Sequence, residues 1–172
     1  MTGTGDIMKT SSIVMAVVLS GLLASCGGVR SVTPDHSTLS EVRAKAGNPT
    51  DIRFDRSGDE IWEYGGGMRG TETYLVRAGK DGRVKSVTQA RSESQFYMIQ
   101  PRQATKEDVR NLLGQPSDQS FLLNGTSWSW RAQISGERVQ LIVHFDAKDV
   151  VLDKIIISDG AGDGQNRGES SK

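Results

Sequence analysis

The chain has 172 residues, 35% of them hydrophobic, with 21 basic and 21 acidic side chains. That balance argues against a dedicated nucleic-acid binder, which would show a basic excess. Roughly 120 residues are patterned enough to fold, which suits one compact domain of two halves, because a unit of ~60 residues is marginal alone.

Residues 1–26 hold one cation, Lys9, and one acid, Asp6, so the remainder is neutral as well. The run from Ile13 to Ala24 is the only long apolar stretch. As a helix its 12 residues would reach ~18 Å, short of the ~30 Å hydrocarbon core. It therefore predicts a secretory signal over residues 1–25, with the start open between Met1 and Met8. Leu23-Ala24-Ser25-Cys26 closes the run, and Cys26 is the only cysteine. A lone cysteine is ordinarily a small buried hydrophobe. Here it precedes Gly27-Gly28, outside the patterned region. The pattern resembles the bacterial lipobox, which implies diacylglycerol on Cys26, cleavage before it, and acylation of the new amine, with palmitate as the typical chain. One acyl chain holds a protein only marginally, whereas three would make the anchor permanent. By the same resemblance, Gly27 implies sorting to the outer membrane, with the body facing the periplasm. Residues 26–37 then read as the lipidated cysteine and a short polar tether, whose 11 residues reach about 36 Å when extended.

The next stretch occurs twice. Thr38-Leu39-Ser40-Glu41-Val42-Arg43, ending at Gly47-Asn48-Pro49, returns 67 residues later as Thr105-Lys106-Glu107-Asp108-Val109-Arg110, ending at Gly114-Gln115-Pro116. Thr38 and Thr105 are N-cap candidates, with Glu41 and Asp108 placed to complete capping boxes. Val42 with Ala46, and Val109 with Leu112 and Leu113, give apolar stripes at helical spacing. Gly47 and Gly114 fit a left-handed helix end, and a proline follows each. Trp62-Glu63-Tyr64 likewise answers Trp128-Ser129-Trp130.

Between and after the helices the chain reads as strands. Segments 51–54 and 60–64 flank a turn, and 71–77 and 83–89 flank the Asp81-Gly82 turn. Ser92-Glu93-Ser94-Gln95 opens a short helix that Pro101 closes. Asn124-Gly125 is expected to turn between 119–123 and 126–134, with 139–145 and 150–158 following. The alternation of Trp128, Trp130, Ala132 and Ile134 with polar residues marks a half-buried antiparallel strand. Residues 159–172 read as a disordered tail. The fold class is α+β, in two tandem repeats over 38–100 and 101–158. Each is a short helix or helix pair packed on an antiparallel sheet of three to four strands.

No catalytic constellation, metal-ligand spacing or cofactor motif emerges. The run from Gly65 to Gly70 matches G-x-G-x-x-G, but a strand and not a helix follows, so the match is accidental. His36 and His144 have no second histidine or cysteine at ligand spacing. A Ser–His–Asp triad stays open by composition, although no nucleophile elbow marks a serine. Trp62, Tyr64, Trp128 and Trp130 are the candidate partner-binding residues. Their ordinary role is helix-packed core, and the alternative is an exposed concave sheet face with aromatic anchors.

On the helix ending in Gly-x-Pro, the Trp-x-aromatic strand, the hairpins at Lys80-Asp81-Gly82-Arg83-Val84 and Phe145-Asp146-Ala147-Lys148-Asp149-Val150, and the lipobox, the chain resembles the BamE/SmpA-OmlA family of outer-membrane lipoproteins. The doubled unit also resembles the fold of β-lactamase inhibitor protein. The family resemblance implies a non-enzymatic accessory factor that binds proteins during β-barrel assembly or in keeping the envelope intact. The second resemblance implies a periplasmic module gripping a secreted enzyme. A lipid-anchored hydrolase is the third reading, and it would require His144, a serine and an acid in one cleft.

Overall fold

The structure, a computed structural model, describes residues 28–65 and 70–159. The expected signal segment and lipidated Cys26, most of the glycine loop and the expected tail beyond Asp159 lie outside the described residues. The architecture is α+β, built on two four-stranded antiparallel sheets of order β1-β2-β3-β4 and β5-β6-β7-β8. The first comprises β1 Asp51–Phe54, β2 Glu60–Gly65, β3 Thr73–Ala78 and β4 Val84–Gln89. The second comprises β5 Asp118–Leu122, β6 Gly125–Ile134, β7 Glu137–Asp146 and β8 Val151–Ser158. Three short helices join them: α1 Leu39–Ala46, α2 Glu93–Tyr97 and α3 Lys106–Leu113. Among the described residues no helix is long and apolar enough to cross a membrane.

The helix ends follow from local chemistry. Thr38 and Thr105 each complete a capping box, with Glu41 and Asp108 accepting from the cap N–H at 2.8 Å. Gly47 and Gly114 do have positive φ, at 78° and 75°, but their ψ values of -161° and -164° are extended rather than left-handed helical. That region is open essentially to glycine alone. At α2 the Ser92 side chain accepts from the Gln95 N–H at 3.4 Å. The expected Asn124-Gly125 turn is displaced by one residue. Leu122 pairs with Gly125, so the loop is Leu123-Asn124 and Gly125 opens β6. A Cβ at Gly125 would lie 1.9 Å from the Phe145 carbonyl oxygen, which explains glycine there.

Of the three buried apolar clusters among the described residues, the two larger are each built around a helix. Val42 of α1 shares one with Trp62, Val76, Ala78 and Val84. Val109 and Leu113 of α3 share the other with Trp130, Leu141, Val143 and Phe145. The expected tether over 26–37 needs correction. Val29–Ser31 forms a turn of 3-10 helix, and Val29 and Val32 are buried in the first cluster. The Asp35 N–H donates to the Val84 carbonyl at 2.8 Å, stitching the segment to β4. The boundary near residue 100 also moves, because Phe96 and Ile99 belong to the second cluster. Phe96 and Ile99 lie 67 residues beyond Val29 and Val32, so both corrections have one cause. An apolar pair precedes each helix and docks with it.

The 67-residue offset recurs in the backbone. Leu39 donates to Gly82 and Lys106 to Asp149, at 3.0 and 2.9 Å. Val84 donates to Ser37 and Val151 to Ala104, both at 2.9 Å. Asp35 and Arg102, also 67 apart, both take positive φ.

Candidate functional site

The four aromatic candidates are placed by the strand alternation. Trp62 and Tyr64 lie on the α1 side of β2, and Trp128 and Trp130 on the α3 side of β6. Trp62 and Trp130 are buried, while Tyr64 and Trp128 are partly buried against the same clusters. The four aromatics thus take their ordinary role as helix-packed core, and the alternative of an exposed aromatic face does not hold for them. Each strand's second aromatic has a structural task as well. Tyr64 Oη donates to the Gly47 carbonyl at 3.2 Å, and Trp130 Nε1 donates to the Gly114 carbonyl at 3.1 Å. Each bond satisfies a carbonyl left over at a helix end. A cation covers the first aromatic of each pair, with Arg43 4.6 Å from the Trp62 ring and Lys106 5.7 Å from that of Trp128.

The opposite face of the first sheet meets the second half. Glu63, between Trp62 and Tyr64, is only 2% exposed. Its carboxylate accepts from Arg53 Nη1 at 2.9 Å and from the Gln115 N–H at 2.9 Å. Arg53 also donates to Asn111 Oδ1 and to the Arg110 carbonyl, at 3.1 and 2.8 Å, while Arg110 Nη2 reaches Asp51 at 3.1 Å. The buried Arg91 donates to the Gly70 carbonyl and, at 3.2 Å, to that of Gln115. Burial lowers its pKa, against an upward pull from the Glu63 charge. Charge-assisted bonds of this kind fix one half against the other.

Burial raises the Asp51 pKa, but bonds and charges from Arg53 and Arg110 outweigh it and hold the carboxyl below its ordinary value. A depressed folded value contributes stability that is complete above the ordinary ~3.9 and lost as pH falls through the folded value. The urea midpoint should therefore be level between about pH 7 and 5 and decline below about pH 4. Asp51→Asn should remove part of that decline.

A cleft of about 340 Å³ opens at this seam beside Asp55, Arg77, Asp108, Asn111 and Leu112. Its charges answer one another, Arg77 with Asp55 and Arg56 with Asp108 at 3.4 Å, which leaves a ligand little to recognise. His144 is elsewhere, on the outer face of the second sheet. Its Nδ1 lies 2.6 Å from Asp153 Oδ1, and Ser127 stands opposite it in register. A serine, a histidine and an acid thus share one row, but on an open face and not in a cleft. Both β6 and β7 are paired on both sides, so their backbone N–H groups are spent in the ladder. Acyl transfer needs such donors free for the developing oxyanion. Among the described residues no cluster of His, Cys, Asp and Glu is suited to a metal ion.

The residues that sequence reasoning missed are at the tip of the β5–β6 hairpin. Phe121 is 89% exposed, Leu122 49% and Leu123 100%. Three consecutive exposed apolar residues are unusual on a monomer surface and mark contact sites. Phe54, 67 residues before Phe121, is exposed too. The apolar run Phe121-Leu122-Leu123 was the available signal, because alternation cannot bury three neighbours on one face of a strand.

No family model matches the chain, and no curated protein matches it in sequence. A solved structure, the DUF4309 family protein YjgB from Bacillus subtilis subsp. subtilis str. 168, is similar at a TM-score of 0.30 and 16% identity, over 75% of this chain and 83% of that one. A likeness at that level carries no argument about function.

Proposed function

We propose that this chain is a lipid-anchored, non-enzymatic envelope protein that binds other proteins through the β5–β6 hairpin tip. The observation that carries the reading is the exposed Phe121-Leu122-Leu123 run, an apolar anchor on a charge-balanced body. Interfaces are centred on such residues, with polar groups at the rim. The lipobox-like Leu23-Ala24-Ser25-Cys26 supports an anchor at Cys26 in the outer membrane, facing the periplasm. The shared 67-residue offset of caps, glycines and buried apolar pairs, with the matching aromatic-to-glycine bonds, supports two copies of one unit, each a helix packed on its sheet. Resemblance to the BamE/SmpA-OmlA family supports a role in barrel assembly or envelope integrity. Because Val29 and Val32, only three and six residues after Cys26, are already buried in the first cluster, the anchored body would sit directly against the membrane. Its partner would then be found at the bilayer surface. Burial of Trp62 and Trp130 takes from the inhibitor-like alternative the aromatic anchors on which it stood.

The test is in-cell photocrosslinking from Phe121 and Leu123, beside Cys26→Ala fractionation. The expected result is crosslinks to an outer-membrane assembly component, lost when Phe121 and Leu123 become serine, and release of the Cys26→Ala protein from the outer-membrane fraction. Crosslinks only to lipid, or only to a soluble periplasmic enzyme, would overturn the proposed partner. Retention of the Cys26→Ala protein in that fraction would overturn the anchor.

A further inference from the structure

We infer that the outer face of the second sheet is a self-association surface, on which a second copy of this chain packs sheet to sheet about a two-fold axis. The inference goes beyond the reading above and does not depend on the lipid anchor or on the hairpin tip.

The face is defined by register. Val139, Leu141, Val143 and Phe145 of β7 are buried, so Arg138, Gln140, Ile142 and His144 point the other way. Across the strands, Ile142 stands beside Ser129 and Ile155, and Gln140 beside Arg131 and Ile157. The corresponding face of the first sheet is covered, since Ile61, Leu75 and Ala90 form a buried cluster there. On the second sheet Ile155 and Ile157 are 42% and 43% exposed. The fold thus leaves bare on one sheet the face that it covers on the other.

Charge on this face is polarised. Asp153 lies one row beyond Ile155 at one end and Arg138 one row beyond Ile157 at the other, while Asp118 shares the Ile155 row and Arg131 the Ile157 row. Among the described residues neither Arg131 nor Arg138 makes an ion pair. Rows on one face repeat every two residues, about 6.8 Å along the strand. Consider a two-fold axis lying between two such faces, across the strands, midway between the Ile155 and Ile157 rows. It sets Ile155 of one copy on Ile157 of the other. It brings Arg138 within reach of the second copy's Asp153, and Arg131 within reach of its Asp118. Every contact then occurs twice, as an isologous interface requires. A different protein could cover the isoleucines equally well, but this charge order is self-complementary. Four strands and four rows span roughly 500 Å² in plan, at the small end for a specific interface, so the dimer is weak.

Sedimentation of the full chain in non-ionic detergent, over a concentration series, provides the test. The expected result is a monomer–dimer equilibrium in the micromolar range. Ile155→Asp should abolish the dimer while leaving the circular-dichroism melt unchanged, because the residue is exposed. Asp153→Arg or Arg138→Asp alone should weaken dimerisation at least about tenfold, and the two together should restore most of it. A monomer at every concentration, a dimer indifferent to Ile155→Asp, or a double exchange that restores nothing would each overturn the inference. So would crosslinks from position 155 that reach only a different protein.

Discussion

Gly114→Ala should destabilise the protein by about 3 kcal/mol or more, against about 1–2 kcal/mol for Gly47→Ala. The two glycines share a helix-end conformation that side chains rarely adopt, so both substitutions strain the backbone. Their surroundings differ. A Cβ at Gly47 would meet nothing within 4 Å, whereas at Gly114 it would lie 2.7 Å from Glu63 Oε1. Glu63 has little room to withdraw, because Arg53 and the Gln115 N–H both hold its carboxylate. Alanine at 114 therefore strains the turn and pushes the two halves apart together. Urea unfolding of the two variants measures the difference. Equal losses would mean that Glu63 contributes nothing at Gly114.

Glu63→Ala should cost a comparable amount, about 3 kcal/mol. The substitution leaves the Gln115 N–H without its acceptor and takes from Arg53 its most buried partner. Glu63→Gln should cost less, since an amide oxygen still accepts one bond, but it should not recover the wild-type midpoint. Ser129, which occupies the same place between the two tryptophans of the second half, lies on the face that no other described element covers. Ser129→Ala should fall within about 0.5 kcal/mol of wild type. The contrast separates a buried seam from an open face with identical strand geometry.

The elements that were legible are those written in local chemistry. Thr38 with Glu41 and Thr105 with Asp108 announce their helices within four residues. The Asp81-Gly82 turn and the alternation through Trp128 and Trp130 are equally local. What was hidden depends on distant partners. Val29 and Val32 look like stray apolar residues in a polar stretch until Phe96 and Ile99, 67 residues on, are set beside them. Alternation puts Glu63 opposite the aromatic face, but its burial follows only from the docking of α3. Within the expected strand over 150–158, Ile155, Ile156 and Ile157 are equally apolar, yet only Ile156 packs against a core. The candidate surfaces were missed for the same reason. The aromatic residues that drew attention are the ones the helices cover, and the isoleucines and Phe121 are what those helices leave over.

The seam through Glu63, Arg53 and Gln115 should make the two halves one cooperative body. Trp62 reports on the first half, and Trp128 and Trp130 on the second. The direct test is urea unfolding followed by fluorescence in two variants, one keeping only Trp62 and the other keeping only Trp128 and Trp130, with phenylalanine elsewhere. Each variant is read against its own circular-dichroism transition. Fluorescence and circular dichroism should coincide in both variants, and should separate once Glu63→Ala is added. Separate transitions with Glu63 in place would contradict that cooperativity.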